Sequence, residues 1–136
     1  MTVPDEETLV IVKPDAVKRG LVGEILTRLQ RKSLRIAEMR LMRVDRDLAE
    51  RLYAEHREKA FFPELVEFIT SGDVVVARVT GESAVPVVRT LMGATDPVEA
   101  APGTIRGDFG LAITQNLVHG SDSPESAKRE LDLFFA

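Results

Sequence analysis

His119 is the side chain in this sequence best suited to attack an electrophile. It stands in the run NLVHGSDS, residues 116–123. Gly120 lets the backbone approach a neighbour closely or take a positive φ. Ser121, Asp122 and Ser123 crowd hydrogen-bonding groups beside the ring. A histidine that follows an apolar pair can be a packed structural ring, and the chemical reading requires an orienting partner. Glu130 supplies one, three residues after Ala127 and four before Phe134, on or beside an apolar helical stripe. A carboxylate there either snorkels to water or is buried and needs a partner. In the second case it can orient the His119 imidazole. With an ordinary pKa of about 6.5, histidine is largely neutral at pH 7 and is then a competent nucleophile.

Three cations lie near turns and loops. Lys13 ends an apolar strand-like run, Arg89 lies off the apolar face of its helix, and Arg106 sits in the glycine-rich GTIRGDFG. Each alone reads as a solvated charge; together they can clamp phosphates, a task that suits the planar guanidinium fork. Thr95 and Asn116 can add neutral hydrogen bonds. Neither the P-loop pattern GxxxxGK[ST] nor a kinase glycine loop occurs, so phosphate chemistry here needs another architecture. Phe61 and Phe62 are adjacent and cannot point the same way. One can enter the core while the other stacks on a base; alternatively the pair forms a hydrophobic staple at a helix start. His56, in the charged AEHREKAFF, reads as a solvated surface residue.

Composition limits the alternatives. The chain has 136 residues, which fits a single domain spanning residues 1–136. There is no cysteine and there are only two histidines, which excludes disulfides, thiolate chemistry and a histidine-rich zinc site. The net charge of −4 does not suit a non-specific nucleic-acid binder. No apolar run approaches the ~18 residues of a membrane span. Met1 to Glu7 is acidic and polar, unlike a secretory leader, so the expected location is cytoplasmic.

The elements that must position these residues follow from periodicity. Thr8 to Lys13 is a β-branched run apolar on both faces, as in a central strand, with PDAVKRGL after it as a turn region. Val22, Ile25, Leu26 and Leu29 have helical spacing. Leu34 to Val44 reads as a second strand and Val74 to Val79 as a third. Asp45 is placed to cap a short helix, Pro63 fits the first turn of the next, and Ser83 is placed to cap another. Gly93 to Gly110 lacks periodicity, and the strand-like LAIT (111–114) follows it. Ser123-Pro124 opens a last helix with Ala127, Leu131 and Phe134 on one side. The order β-α-β-α-α-β-α-loop-β-α predicts an α+β fold: a ferredoxin-like α/β sandwich, a four-stranded antiparallel sheet covered by helices.

Taken together, these residues resemble the nucleoside diphosphate kinase family, from about Thr8 to Phe135. The segments that carry the resemblance are TLVIVKPDAVKRGLVGEI, YAEHREKAFFPELVEFITSG, LMGATDP, APGTIRGDFG and NLVHGSDSPESAKRE. The resemblance implies ping-pong transfer of a γ-phosphoryl group from a nucleoside triphosphate, typically ATP, to a nucleoside or deoxynucleoside diphosphate. The intermediate would be a phosphohistidine on Nδ1 of His119. It further implies that Glu130 contacts the imidazole, that Ser121 is a supporting hydroxyl, and that Tyr53 lies near the nucleophile. Phe61 would stack on the base, Lys13 and Asn116 would bind the sugar hydroxyl and phosphates, and Arg89, Thr95 and Arg106 would form the phosphate clamp. Mg2+ would arrive with the nucleotide, held mainly by phosphate oxygens. The expected assembly is a homo-oligomer built from dimers, a tetramer or hexamer, with no membrane or nucleic-acid partner.

Ala60, Asp73 and Gln115 depart from the family pattern, which often has proline at the first two positions and arginine at the third. A non-catalytic nucleotide-binding module would keep Phe61 and the arginines without needing His119. An RNA-binding sheet of the RRM type would need strand aromatics, and Leu9 to Val12 and Val74 to Val79 have none.

Overall fold

The computed structural model describes residues 5–135. The N-terminal reading falls in part on residues 1–4, outside the described residues. β1 (Asp5–Val12) and β3 (Asp73–Glu82) lie antiparallel side by side, with Val10 opposite Ala77. Both are covered on both faces, which is why their sequences run apolar instead of alternating. Leu9 and Ile11 point to one face and Val10 and Val12 to the other. β2 (Arg35–Arg43) pairs with the free side of β3, and β4 (Val118–Gly120) with the free side of β1. The order is β2-β3-β1-β4, antiparallel throughout.

α1 (Pro14–Lys18), α2 (Val22–Arg31), α5 (Ala84–Met92) and α6 (Ile105–Phe109) pack on the face of Val10 and Val12, through Ala16, Ile25, Leu29, Val88 and Ile105. α3 (Arg46–Leu52), α4 (Phe62–Ile69) and α7 (Pro124–Phe135) cover the other face, through Ala49, Leu52, Val66, Ile69, Leu131 and Phe134. Helices α2 and α5, which connect β1 to β2 and β3 to β4, thus share one face. This is the expected ferredoxin-like α+β sandwich. Asp45 caps α3 by accepting from the Leu48 N–H at 2.8 Å, Pro63 occupies the first turn of α4, and Ser123 Oγ accepts from the Ser126 N–H at 3.1 Å.

Four local expectations are corrected. PDAVKRGL is not only a turn: Pro14, tolerated at a helix start, opens α1. Ser83 precedes α5 in a left-handed conformation and makes no side-chain cap; Glu6 instead accepts from the Val85 N–H at 3.1 Å. The region 93–110 contains α6, capped by Thr104 Oγ1 accepting from the Gly107 N–H at 3.0 Å. LAIT is not a strand: Leu111 and Ile113 are 86% and 56% exposed, and the place beside β1 is taken by Val118–Gly120.

Candidate active site

β4 brings His119 opposite Ile11, on the face that α7 covers. His119 is therefore the middle residue of a short strand. Gly120 explains the close approach on the opposite side: a Cβ there would lie 2.9 Å from both Met92 Cε and Val88 Cγ1 of α5. The first of the two possible reasons for this glycine therefore holds.

Nε2 of His119 lies 2.6 Å from Glu130 Oε1. The same oxygen accepts from the Ser121 hydroxyl at 2.9 Å, and Ser121 Oγ accepts from the backbone N–H of Leu9 at 3.3 Å. The chain of donors runs from β1 through Ser121 to the carboxylate, and every polar atom on it has a defined role. An ionised carboxylate only accepts, so in the neutral ring Nε2 is the protonated nitrogen and Nδ1 carries the lone pair. Among the described residues, Nδ1 has no hydrogen-bond partner. The Glu130 side chain is 6% exposed and that of His119 17%, so the acid is sheltered while the ring stays within reach of solvent. Arg129 Nη2 stands 3.7 Å from Glu130 Oε2 and its guanidinium also donates to the Arg51 and Leu52 carbonyls. This anchors the middle of α7 to the end of α3. Tyr53, just beyond α3, is buried; burial and the Glu130 charge raise its phenol pKa above the ordinary value, so it remains protonated.

A second cluster adjoins the first through Asn116 and Val118. Lys13 Nζ donates to Asn116 Oδ1 at 2.8 Å, and Asn116 Nδ2 donates to the Thr95 carbonyl at 3.0 Å. Arg106 is not a solvated charge. It is 6% exposed and donates to the carbonyls of Asn116 at 3.2 Å, Gly93 at 3.0 Å and Val118 at 2.8 Å. Gly93 sits at φ +86° against the Thr104 side chain, a position closed to a larger residue. Burial and the nearby Arg89 push the Arg106 pKa down to about 10, and burial and Arg106 push that of Lys13 down to about 8. Among the described residues no carboxylate is hydrogen-bonded to the Lys13 ammonium or the Arg106 guanidinium. Cations held at a cost in solvation, with Asp15 acting on Lys13 only through its field, are an arrangement that suits an anion. Arg89 is half-exposed and paired with Asp122 at the rim. Thr95 is exposed and offers its hydroxyl to solvent.

Phe61 and Phe62 divide as their adjacency requires. Phe62 packs against the core and Phe61, before α4, is 44% exposed. His56 corrects an expectation: it is half-buried, with its ring centroid 5.6 Å from that of Phe61 and 6.4 Å from that of Tyr53. A row of three rings, Tyr53, His56 and Phe61, therefore runs from the buried phenol to the exposed ring. Arg129 and His56 were missed because charged segments read as solvent-facing. For Arg129 its position directly before Glu130 was a usable signal.

The model of the family described as nucleoside diphosphate kinase matches residues 6–136. A nucleoside diphosphate kinase of Rubrobacter xylanophilus is 65% identical over 130 residues, covering 96% of this chain and 98% of the relative. One of Archaeoglobus fulgidus is 61% identical, covering 96% and 87%. Among solved structures, a halophilic nucleoside diphosphate kinase from Halobacterium salinarum in complex with CDP superposes with a TM-score of 0.94 at 52% identity, covering 97% of this chain and 88% of that one. An unpartnered imidazole nitrogen beside buried cations and an exposed aromatic ring is thus joined to matches over nearly the whole length. The chain belongs to the nucleoside diphosphate kinase family.

Proposed function

We propose that this chain transfers the γ-phosphoryl group of a nucleoside triphosphate to a nucleoside or deoxynucleoside diphosphate through a phosphohistidine on Nδ1 of His119. The observation that carries this reading is the Nε2–Glu130 hydrogen bond, which leaves Nδ1 as the nitrogen able to attack. In the first half-reaction the Nδ1 lone pair forms a bond to the γ-phosphorus. The bond from that phosphorus to the bridging oxygen breaks, its electron pair stays with the departing diphosphate, and the diphosphate leaves. In the second, a terminal oxygen of another diphosphate attacks the phosphohistidine and the N–P bond breaks. The proton on Nε2 need not move in either direction. Glu130 offsets the positive charge that the ring gains, and Ser121 fixes the carboxylate.

Transfer of this kind depends on alignment and charge stabilisation. Lys13, Arg106 and Arg89 supply positive charge, and Asn116 and Thr95 supply hydrogen bonds. Tyr53 stays neutral within the field of Glu130, with its hydroxyl proton available to donate. Phe61 supplies a face on which any base can stack, without edge groups that would select one. The nucleotide's Mg2+ would neutralise phosphate charge. The nearby carboxylates are committed, Glu130 to His119 and Asp122 to Arg89, which suits a cation held by phosphate oxygens and water. We place the enzyme in the cytoplasm; among the described residues no helix is long and apolar enough to cross a membrane.

We also propose a homo-oligomer built from dimers. Among the described residues β2 is an edge strand paired only with β3, and it exposes Met39 and Leu41 at 57% and 66%. An uncovered edge with apolar side chains favours pairing with another strand. Light scattering after size exclusion distinguishes monomer, tetramer and hexamer. Function is tested by incubating the protein with γ-labelled ATP and Mg2+. An acid-labile, base-stable phosphoprotein that any nucleoside diphosphate discharges supports the reading; label retained in His119→Ala removes His119 from its role.

A further inference from the structure

Leu117 lies between the two clusters and has an unusual backbone. It is fully buried and its φ is +76°, a region that leucine rarely enters. The Val118 N–H donates to the Asn116 carbonyl at 2.9 Å, closing a three-residue turn with Leu117 at its apex. Such a turn persists only where its surroundings fix it. Both polar groups of the apex are held by the junction of β1 and α1. The Leu117 carbonyl accepts from the Lys13 N–H at 2.8 Å, and the Leu117 N–H donates to Asp15 Oδ2 at 3.2 Å. The reversal aims the carbonyls of Asn116 and Val118 at one guanidinium, that of Arg106, and turns the Asn116 side chain to Lys13. The next residue is His119.

We propose that Asp15 is a positioning residue: its carboxylate locks the Leu117 turn and thereby sets Lys13, Asn116 and Arg106 relative to His119. This rests on the reading of those three groups as the holders of nucleotide phosphates. Asp15 itself has no part in the chemistry. Its importance is geometric, so the position of its accepting oxygen matters more than its charge.

Two substitutions separate those properties. Asp15→Asn keeps an acceptor at the same distance and removes the charge. Asp15→Glu keeps the charge and moves the acceptor by one methylene. At pH 6.5, below the Lys13 pKa of about 8, the lysine stays charged in the wild type. Asp15→Asn is expected within about threefold of wild-type kcat/KM for ATP and a diphosphate, and Asp15→Glu about 10–100-fold lower, the scale of a displaced contact. Labelling of His119 by phosphoramidate, a small donor without a nucleotide, should proceed at the wild-type rate in both. Exchange of the Leu117 amide hydrogen, followed without nucleotide, should be slow in wild type and Asp15→Asn and fast in Asp15→Glu. A glutamate variant as active as the asparagine variant overturns the proposal, as does phosphoramidate labelling that falls in step with activity. Wild-type protein inactive with ATP overturns the functional reading and the clamp part of this one. The exchange measurement still decides whether Asp15 locks the turn.

Discussion

Glu130 Oε1 stands 2.6 Å from His119 Nε2, and α7 and β4 are packed so that this acid is more sheltered than the ring it holds. One contact therefore fixes both the tautomer and the aim of the imidazole. Replacing Glu130 by glutamine keeps an acceptor but removes the charge that offsets the phosphorylated ring. The expected result is a kcat lower by about 10–100-fold with KM little changed, since the lost interaction strengthens in the transition state. A change confined to KM would place Glu130 in substrate binding.

Arg106 uses its fork on three backbone carbonyls, so it supports the loops as well as offering charge. Arg106→Ala should slow transfer about 10²–10³-fold. Arg106→Lys should recover little, because an ammonium cannot reproduce the planar set of donors. Steady-state rates of both variants check this; full recovery by lysine would reduce the role of Arg106 to that of a point charge.

Lys13 gives opposite pH trends for folding and for binding. Its folded pKa of about 8 is below the ordinary 10.5. The unfolded chain therefore holds more protons between those values, and this group's contribution to stability rises with pH across that window. Bound phosphates favour the charged form and raise the pKa again, so nucleotide binding near pH 8 should take up protons, and affinity should fall as pH rises above 8. Calorimetry in buffers of different ionisation enthalpy measures the uptake; proton release on binding contradicts the assignment.

Phe61 is largely free of the core, and Phe61→Ala should leave the thermal midpoint nearly unchanged. Loss of a stacking face costs about 1–3 kcal/mol per base, so KM should rise by a similar factor for purine and pyrimidine diphosphates. A rise for one base alone would mean that edge contacts select it.

The central strands and amphipathic helices were legible because their apolar spacing reports local geometry directly. His119, Glu130, Lys13 and Arg106 were legible as chemical types, and the structure brings His119 to Glu130 and Lys13 and Arg106 to Asn116. Other features depend on contacts distant in the chain. LAIT carries a strand's residue types, yet the edge of β1 is occupied by Val118–Gly120. Ser83 has a capping side chain, yet Glu6 accepts the N–H of Val85. The turn at Leu117 has no local signal at all, since leucine does not favour positive φ; partners some hundred residues earlier hold it.

The central claim concerns a single nitrogen. Phosphoenzyme made from ATP, labelled with 15N in its histidine rings, can be examined by 31P and 15N NMR to identify the atom that carries phosphorus. Phosphorus bonded to Nδ1 of His119, with Nε2 still protonated, is the predicted result; phosphorus on Nε2, or on any other residue, contradicts the account.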